Sequence, residues 1–426
     1  MNNNKKLKNI GFISTRIAGT DGVTLETFKW AKVLEQERYK CFYLAGELEI
    51  RSTRSYIVKK AHFNHPAIKK ITQSCFGANT RNPDLTKEIH HIKEELKIKI
   101  YRFIEKFKID ILILENCLSI PINIPLGIAV TEVISESGMP SIAHHHDLYW
   151  ERKKFFINSI PEYLNMAFPP NLPSIQHVVI NSQAAAQLSF RSGISSTIIP
   201  NVMDFENEPA LINSFAADVK ENLGIKPDEF FILQPTRVIQ RKKIERAIEL
   251  VSRLKLKTRL VISHASKDEG LSYEKRVKKY AKIMKVNALF VSKNINNRRG
   301  RTKHNNKIYT LADVYPHADL ITFPSSKEGF GNAFLEAVYF KKPIVINNYP
   351  VFVTDIKPRD FKVIDFNEFI TEDTVAKTEK ILQNPKLVKK WAEHNFELGK
   401  KFYSFSVLRR KLNTLIMNFN ELNNSK

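Results

Sequence analysis

The sequence predicts an α/β protein of two doubly wound domains, each a parallel sheet covered by helices. Three observations carry this. Apolar strand-like runs alternate with amphipathic helical runs from end to end. The alternation lapses in a loose acidic stretch after Asn201 and then restarts. A length of 426 residues also exceeds what one hydrophobic core holds.

The elements follow in chain order. Asn9 to Ser14 is the first strand, and a turn holding Gly19 and Gly22 comes after it. Leu25 to Glu35 reads as a helix, with Leu25, Phe28, Ala31 and Leu34 on one face. Tyr39 to Leu44 is the next strand. Lys87 to Phe107 is a long charged helix with Ile92, Leu96, Ile100 and Ile104 as its buried stripe. Ile109 to Leu114 is a strand buried on both faces, and Ser141 to His144 and His177 to Asn181 are two more. Thr197 to Phe205 ends a strand and closes a first domain over residues 1–204. In a second domain, residues 205–400, the strands are Glu229 to Gln234, Arg259 to Ser263, Ala288 to Ser292, Asp319 to Phe323 and Ile344 to Ile346. Its helices are Ile244 to Leu254 and Ala333 to Phe340. Residues 401–426 form a C-terminal helix, the end of a helical segment beginning near Lys386. Its Leu408, Leu412, Leu415 and Phe419 recur at helical spacing. That helix either adds a layer or crosses back to the first domain.

At 43% hydrophobic and 26% charged, the composition is that of an ordinary globular protein. Cys41, Cys75 and Cys117 are odd in number and scattered, which argues for a reducing compartment. Met1 to Lys8 lacks an apolar h-region, so no secretory signal is expected. The apolar stretch from Ile109 to Val130 is broken by Glu115, Asn116, Pro121, Asn123 and Pro125, so it is not a membrane span. The expected setting is cytoplasmic, with peripheral contact at an anionic inner membrane face as the variant. The net charge of +23 is spread along the chain, without an aromatic-studded or helix-turn-helix pattern, so no nucleic acid is expected. Attraction to an anionic lipid or substrate competes with plain Lys-rich solvated faces.

In doubly wound domains, ligands bind beyond the carboxyl ends of the strands, so two in tandem would present those edges across a cleft. Four strand-to-helix loops carry chemistry there. Arg16 to Gly22 holds Gly19, Asp21 and Gly22, and lets a ligand approach the backbone; it lacks the dinucleotide fingerprint. His144-His145-His146-Asp147 ends a strand whose alternation splits the imidazoles between two faces. No second ligand cluster completes a metal site, so a hydrogen-bonding or proton-handling histidine is the functional reading, against a buried structural one. Arg237 and Lys242 lie in one loop and could converge on a diphosphate, the competing reading being a solvated charge run. Finally, Glu328-Gly-Phe-Gly-Asn-Ala-Phe-Leu-Glu336 joins a strand to a helix start, a natural anion site. Glu336 would sit about 7 Å along that helix and could take two ribose hydroxyls, with Glu328 facing the other end of the ligand. No D-x-D occurs, so a metal-bridged diphosphate is not indicated, and the cations would replace the metal.

These four loops, with Ile199-Pro200-Asn201 at the boundary, stand in the order found in family four of the retaining glycosyltransferases, and the chain resembles that family over nearly its whole length. Glu115 to Gly127 with His144 to Arg152, and Asp313 to Asp319 running on to Tyr349 to Ile356, resemble its mannosylglucosylglycerate synthase-like subgroup. The resemblance implies the GT-B fold, two Rossmann-like domains facing across a cleft with a hinge near residue 200. It implies a metal-independent hexosyl transfer from a GDP- or UDP-sugar to a small glycoside or sugar acceptor, with no bound cofactor. Arg237 and Lys242 would hold the donor diphosphate and Glu336 the ribose. Glu328 and the backbone of Phe330, Gly331 and Asn332 would hold the sugar and β-phosphate. His146 would contact the donor sugar and assist at the reaction centre, and Gly19 to Gly22 would close over the phosphates or acceptor. Lys243 and Val202 stand where glycine is common, and Asn332 where an aliphatic residue is frequent. The alternatives are a lipid-linked or polysaccharide acceptor at the membrane surface, a sugar-nucleotide epimerase, and a non-catalytic sugar-nucleotide-binding protein.

Overall fold

The computed structural model describes residues 8–19, 21–50, 52–265, 271–296 and 298–424. Met1 to Leu7, on which the absence of a leader is read, and Thr20 of the glycine turn lie outside the described residues. The chain divides into two compact units, Met1–Asn201 with Phe405–Lys426, and Val202–Ser404. The unit boundaries therefore fall three and four residues from the expected 204/205 and 400/401 junctions.

Unit 1 is built on a seven-stranded sheet. Its strands are β1 (Asn9–Ile13), β2 (Lys40–Ala45), β3 (Ser55–Ile57), β4 (Ile111–Glu115), β5 (Ser141–His145), β6 (Ile175–Val179) and β7 (Ser196–Ile198). They lie in the order β3-β2-β1-β4-β5-β6-β7, every pair parallel. The helices are α1 (Gly22–Gln36), α2 (Pro66–Cys75), α3 (Pro83–Phe107), α4 (Ile124–Ser137), α5 (Pro161–Ala167) and α6 (Ser182–Ser192). β4 is buried throughout, as a central parallel strand covered on both faces must be. α3 starts four residues before the expected Lys87. Asn82 caps it by accepting from the Leu85 N–H, and Pro83 fills the first turn, where its missing N–H costs nothing.

Unit 2 repeats the plan on six parallel strands, in the order β10-β9-β8-β13-β14-β15. These are β8 (Phe230–Gln234), β9 (Thr258–Ile262), β10 (Ala288–Phe290), β13 (Leu320–Phe323), β14 (Ile344–Asn347) and β15 (Ile364–Phe366). β11 (Gly300–Arg301) and β12 (Lys307–Ile308) pair separately as an antiparallel ribbon. Its helices are α7 (Val219–Asn222), α8 (Ile244–Arg253), α9 (Leu271–Ile283), α10 (Leu311–Val314), α11 (Asn332–Tyr339), α12 (Glu372–Leu382) and α13 (Pro385–Tyr403). In each sheet the winding reverses once, between β1 and β4 and between β8 and β13, and there the following loops part to leave a crevice.

The C-terminal helical segment is two helices. α13 ends at Ser404, which is extended (φ −85, ψ 166) and bridges Met203. α14 (Phe405–Asn424) then packs in unit 1, burying Leu408, Leu412, Leu415 and Phe419, the face its spacing predicts. The Gln176 side-chain amide donates through Nε2 to the Leu415 carbonyl (2.7 Å), and the Arg409 guanidinium pairs with Glu37 (2.9 Å). Among the described residues, no helix is long and apolar enough to cross a membrane.

Candidate active site

In unit 2 the predicted residues gather where the winding reverses. The loop after β8 is tied to β13 from below: Thr322 Oγ1 donates to Gln234 Oε1 (2.7 Å), and Gln234 Nε2 donates to Thr236 Oγ1 (2.7 Å). All three side chains of the relay are buried. This fixes the stretch carrying Arg237, Arg241 and Lys242. Lys243, which follows, sits at φ 48 in the left-handed region, which explains why glycine is common there.

The loop after β13 carries Glu328. Its Oε1 accepts from Lys242 Nζ and its Oε2 from Arg241 Nη1 (2.9 Å); Arg241 also donates to the Lys327 carbonyl (3.0 Å). Burial would raise the Glu328 carboxyl, but the charges of Lys242 and Arg241 hold it below its ordinary range. Burial lowers the Lys242 ammonium against the pull of Glu328, with Arg241 and Arg237 adding to the depression. Three cations and one carboxylate leave two positive charges at this point, matching the two charges of a diphosphate diester. The spacing of the sequence singles out Arg237 and Lys242; Arg241 is the addition.

The glycine turn ends at Gly331, the N-cap of α11, with φ 121 and ψ 72. A Cβ there would lie 2.4 Å from the Tyr349 hydroxyl oxygen. That hydroxyl donates to the Phe330 carbonyl at 2.6 Å and props the turn from below. Phe330 is buried with its ring edge-on to Tyr403 (5.2 Å). Asn332 is the first residue of α11, and Glu336 lies one turn further on. Tyr315 Oη donates to Glu336 Oε2 (2.6 Å). Tyr315 is fully buried and stacked on Phe340 (4.9 Å), so its phenol is pushed well above the ordinary range by burial and by Glu336.

In unit 1, Gly19 has φ 78 and its N–H donates to Glu49 Oε2 (3.3 Å). Asp21 is the N-cap of α1. It accepts from the Thr24 N–H (3.1 Å), the Thr24 hydroxyl (3.0 Å) and Arg16 Nη2 (2.9 Å), so its carboxylate is committed to holding the turn. Gly22 is the first residue of the helix and exposed.

The histidines divide as strand alternation predicts. His145 is fully buried between Ser119 Oγ (2.5 Å at Nδ1) and His177 Nδ1 (2.9 Å at Nε2). His144 and His146 share the other face. His144 Nδ1 and His146 Nε2 both donate to Glu115 Oε2, at 3.0 and 3.1 Å. The His144 ring stacks on Trp30 of α1 (4.1 Å) and tilts against His146 (4.2 Å). Burial opposes the charge on Glu115, yet the two imidazoles bring its carboxyl down to about 2. Desolvation likewise opposes His146, and Glu115 outweighs it, so the imidazole is raised above its ordinary value. Asn116, at φ 59, accepts from the His146 N–H (3.1 Å) and donates to Asp147 Oδ1 (3.0 Å), fixing the loop. Ligand-type atoms of Glu115, His144 and His146 lie within 4.8 Å of one another; Glu115 Oε2 takes both imidazole N–H groups, while Glu115 Oε1 and His144 Nε2 are buried without a hydrogen-bond partner among the described residues. A pocket of about 320 Å³ elsewhere in the unit is lined by Tyr149, Trp150, Asn165, Phe168 and Arg191, and includes none of the predicted residues.

Residues 216–397 match the model of the family described as glycosyl transferases group 1. The chain is 31% identical to the mannosylglucosylglycerate synthase of Thermotoga maritima, over 94% of this chain and 97% of that one. It is 29% identical to the enzyme of the same name from Petrotoga mobilis, over 94% and 99%. Among solved structures, a glycosyltransferase from Rickettsia africae aligns over 97% of this chain and 98% of its own, with a TM-score of 0.69 at 15% identity. Anabaena Alr3699/HepE in complex with UDP and glucose aligns over 96% and 100%, with a TM-score of 0.65 at 10% identity.

Proposed function

Starting from a chain that belongs to the glycosyl transferases group 1, we propose that it moves a hexose from a nucleotide-sugar to a hydroxyl of a small sugar-acid glycoside. A mannosyl transfer of the kind named in the Thermotoga and Petrotoga relatives is the specific reading. Its carrying observation is the group at the β8/β13 reversal: net positive charge beside the α11 N-terminus, with Glu336 one turn along. Arg237, Arg241, Lys242 and the α11 N–H groups would hold the diphosphate. Glu336 would take the ribose hydroxyls, and Glu328 with the backbone of Phe330 to Asn332 would meet the sugar. In this reading the cations would carry the leaving charge in place of a metal. His146 of unit 1 would serve the sugar at the reaction centre, and the Gly19 to Gly22 turn the phosphates or acceptor.

Transfer with retention forms the bond from the acceptor oxygen to C1 on the face from which the diphosphate oxygen departs. The acceptor proton passes to that departing oxygen, and the cations stabilise its charge. The test is a thermal-shift screen with GDP-mannose, UDP-glucose, UDP-GlcNAc and ADP-glucose, followed by product analysis with the preferred donor. Arg237→Ala and Glu336→Ala should each lower kcat/KM for the donor roughly 10- to 100-fold, the loss of charge-assisted hydrogen bonds. Unchanged donor turnover in both would defeat the assignment.

A further inference from the structure

Glu115 has no part in the nucleotide site, yet it is the most deeply enclosed carboxylate of the histidine group. It ends β4, is fully buried, and pairs in register with His144 of β5. Its backbone carbonyl accepts from the Ser14 hydroxyl of the neighbouring β1 end (3.0 Å). One carboxylate oxygen, Oε2, takes both imidazole N–H groups, while Oε1 is buried with no hydrogen-bond partner among the described residues. A carboxylate left half-satisfied in a dry site costs stability, so its persistence asks for a reason other than packing. The reason lies in the ring it grips. A carboxylate only accepts, so His146 must carry its proton on Nε2, and Nδ1 is the nitrogen left for other partners. The His144 ring, stacked on Trp30 and bonded to the same oxygen, lies against the His146 ring.

We infer that Glu115 is a positioning residue for His146, fixing its tautomer and ring so that Nδ1 is the atom offered to the reacting sugar. The inference rests on the proposed role of His146 in glycosyl transfer. The charged and titratable groups facing His146 are Glu115 of β4, His144 and His145 of β5, Glu26 of α1 and Asp147 of its own loop. Glu26 is itself paired with Lys29 (2.6 Å), and Asp147 with Arg152 and Asn116. Glu115 is therefore the acidic group that bonds the ring directly.

The experiment has two arms on the full chain. In the first, ¹⁵N-histidine NMR should show His146 as the Nε2–H tautomer, and Glu115→Gln should move its titration to lower pH by about one unit or more. The opposite tautomer, or an unmoved titration, overturns the inference whether or not the chain transfers sugar. In the second arm, GDP-mannose turnover, or UDP-glucose turnover if that donor is preferred, is followed against pH. Glu115→Gln should shift the acid limb downward and lower kcat about tenfold, with nucleoside-diphosphate affinity within about twofold of the parent. Added to His146→Ala, it should cost nothing further. A variant that melts earlier but keeps the parental pH profile marks Glu115 as merely structural and overturns the inference. If the parent turns over neither donor, the functional reading fails and the NMR arm decides the inference alone.

Discussion

Tyr315 decides what Glu336 has left to offer a ligand. Its phenol donates to Oε2 and so restrains the carboxylate. Tyr315→Phe should weaken nucleoside-diphosphate binding by about 0.5–1.5 kcal/mol, roughly 2- to 12-fold in Kd by calorimetry, with kcat nearly unchanged. An unaltered Kd would show that the carboxylate needs no such support. Gly331→Ala is harsher, because it combines a positive φ with a methyl 2.4 Å from the Tyr349 oxygen; a loss of about 1–3 kcal/mol in urea unfolding is expected. At this scale the sequence is a partial guide. Glu328 and Glu336 announce themselves by flanking a glycine turn. Glu115 does the opposite: it reads as a blemish in an apolar run, and only β-sheet register shows that it faces His144. Arg241 is hidden in a run of three basic residues, where nothing in the spacing shows that it joins Lys242 on Glu328. Tyr315 gives no signal at all, since a buried phenol with a carboxylate partner looks like any core aromatic.

Between strand and helix, the connecting loops carry the strain. Lys243 holds a left-handed conformation immediately before α8. Lys243→Gly should raise stability by about 0.5–1 kcal/mol, read as a shift of about 1–4 °C in the melting midpoint; a lower midpoint would mean that the lysine side chain contributes more than its backbone costs. The central strands were legible because full burial writes them as unbroken apolar runs, β4 most plainly. The short outer elements were not. β3 and β15 have three residues each, too few to display a period, and β11 and β12 have two. β6 starts two residues before its predicted position, since Gln176 interrupts the apolar run that Ile175 begins. α9 has only Tyr273, Val277 and Ala281 buried along its charged length, so its stripe was too thin to read.

Over the whole molecule, buried imidazoles set the response to acid. Burial and the neighbouring His177 push His145 well below its ordinary value, and burial brings His177 down to about 4. Both are neutral when folded and bind protons when unfolded. Their stabilisation is complete above the unfolded value near 6.5 and is lost as pH falls from there, by about 1.4 kcal/mol per pH unit for each. His146 works the other way, since its raised value favours the folded state below about 6.5, but His62, His144 and His317 are also pushed down by burial, so among the described residues it is one imidazole against five. Urea unfolding should therefore show a lower midpoint at about pH 5 than at about pH 7.5; equal midpoints would refute this balance. The two crossings between units are also joined to each other, because the Met203 N–H donates to the Tyr403 carbonyl (2.8 Å). Deleting the segment after Ser404 should strip unit 1 of the buried face of α14, from Leu408 to Phe419, and leave unit 2 cooperative in its own melt. That arrangement makes unit 2 a guest inserted into unit 1, and it imposes an order on biosynthesis. A ribosome delivers every residue of the guest before it delivers the last helix of the host, so the nascent chain can finish its second fold while the first still waits for its closing piece.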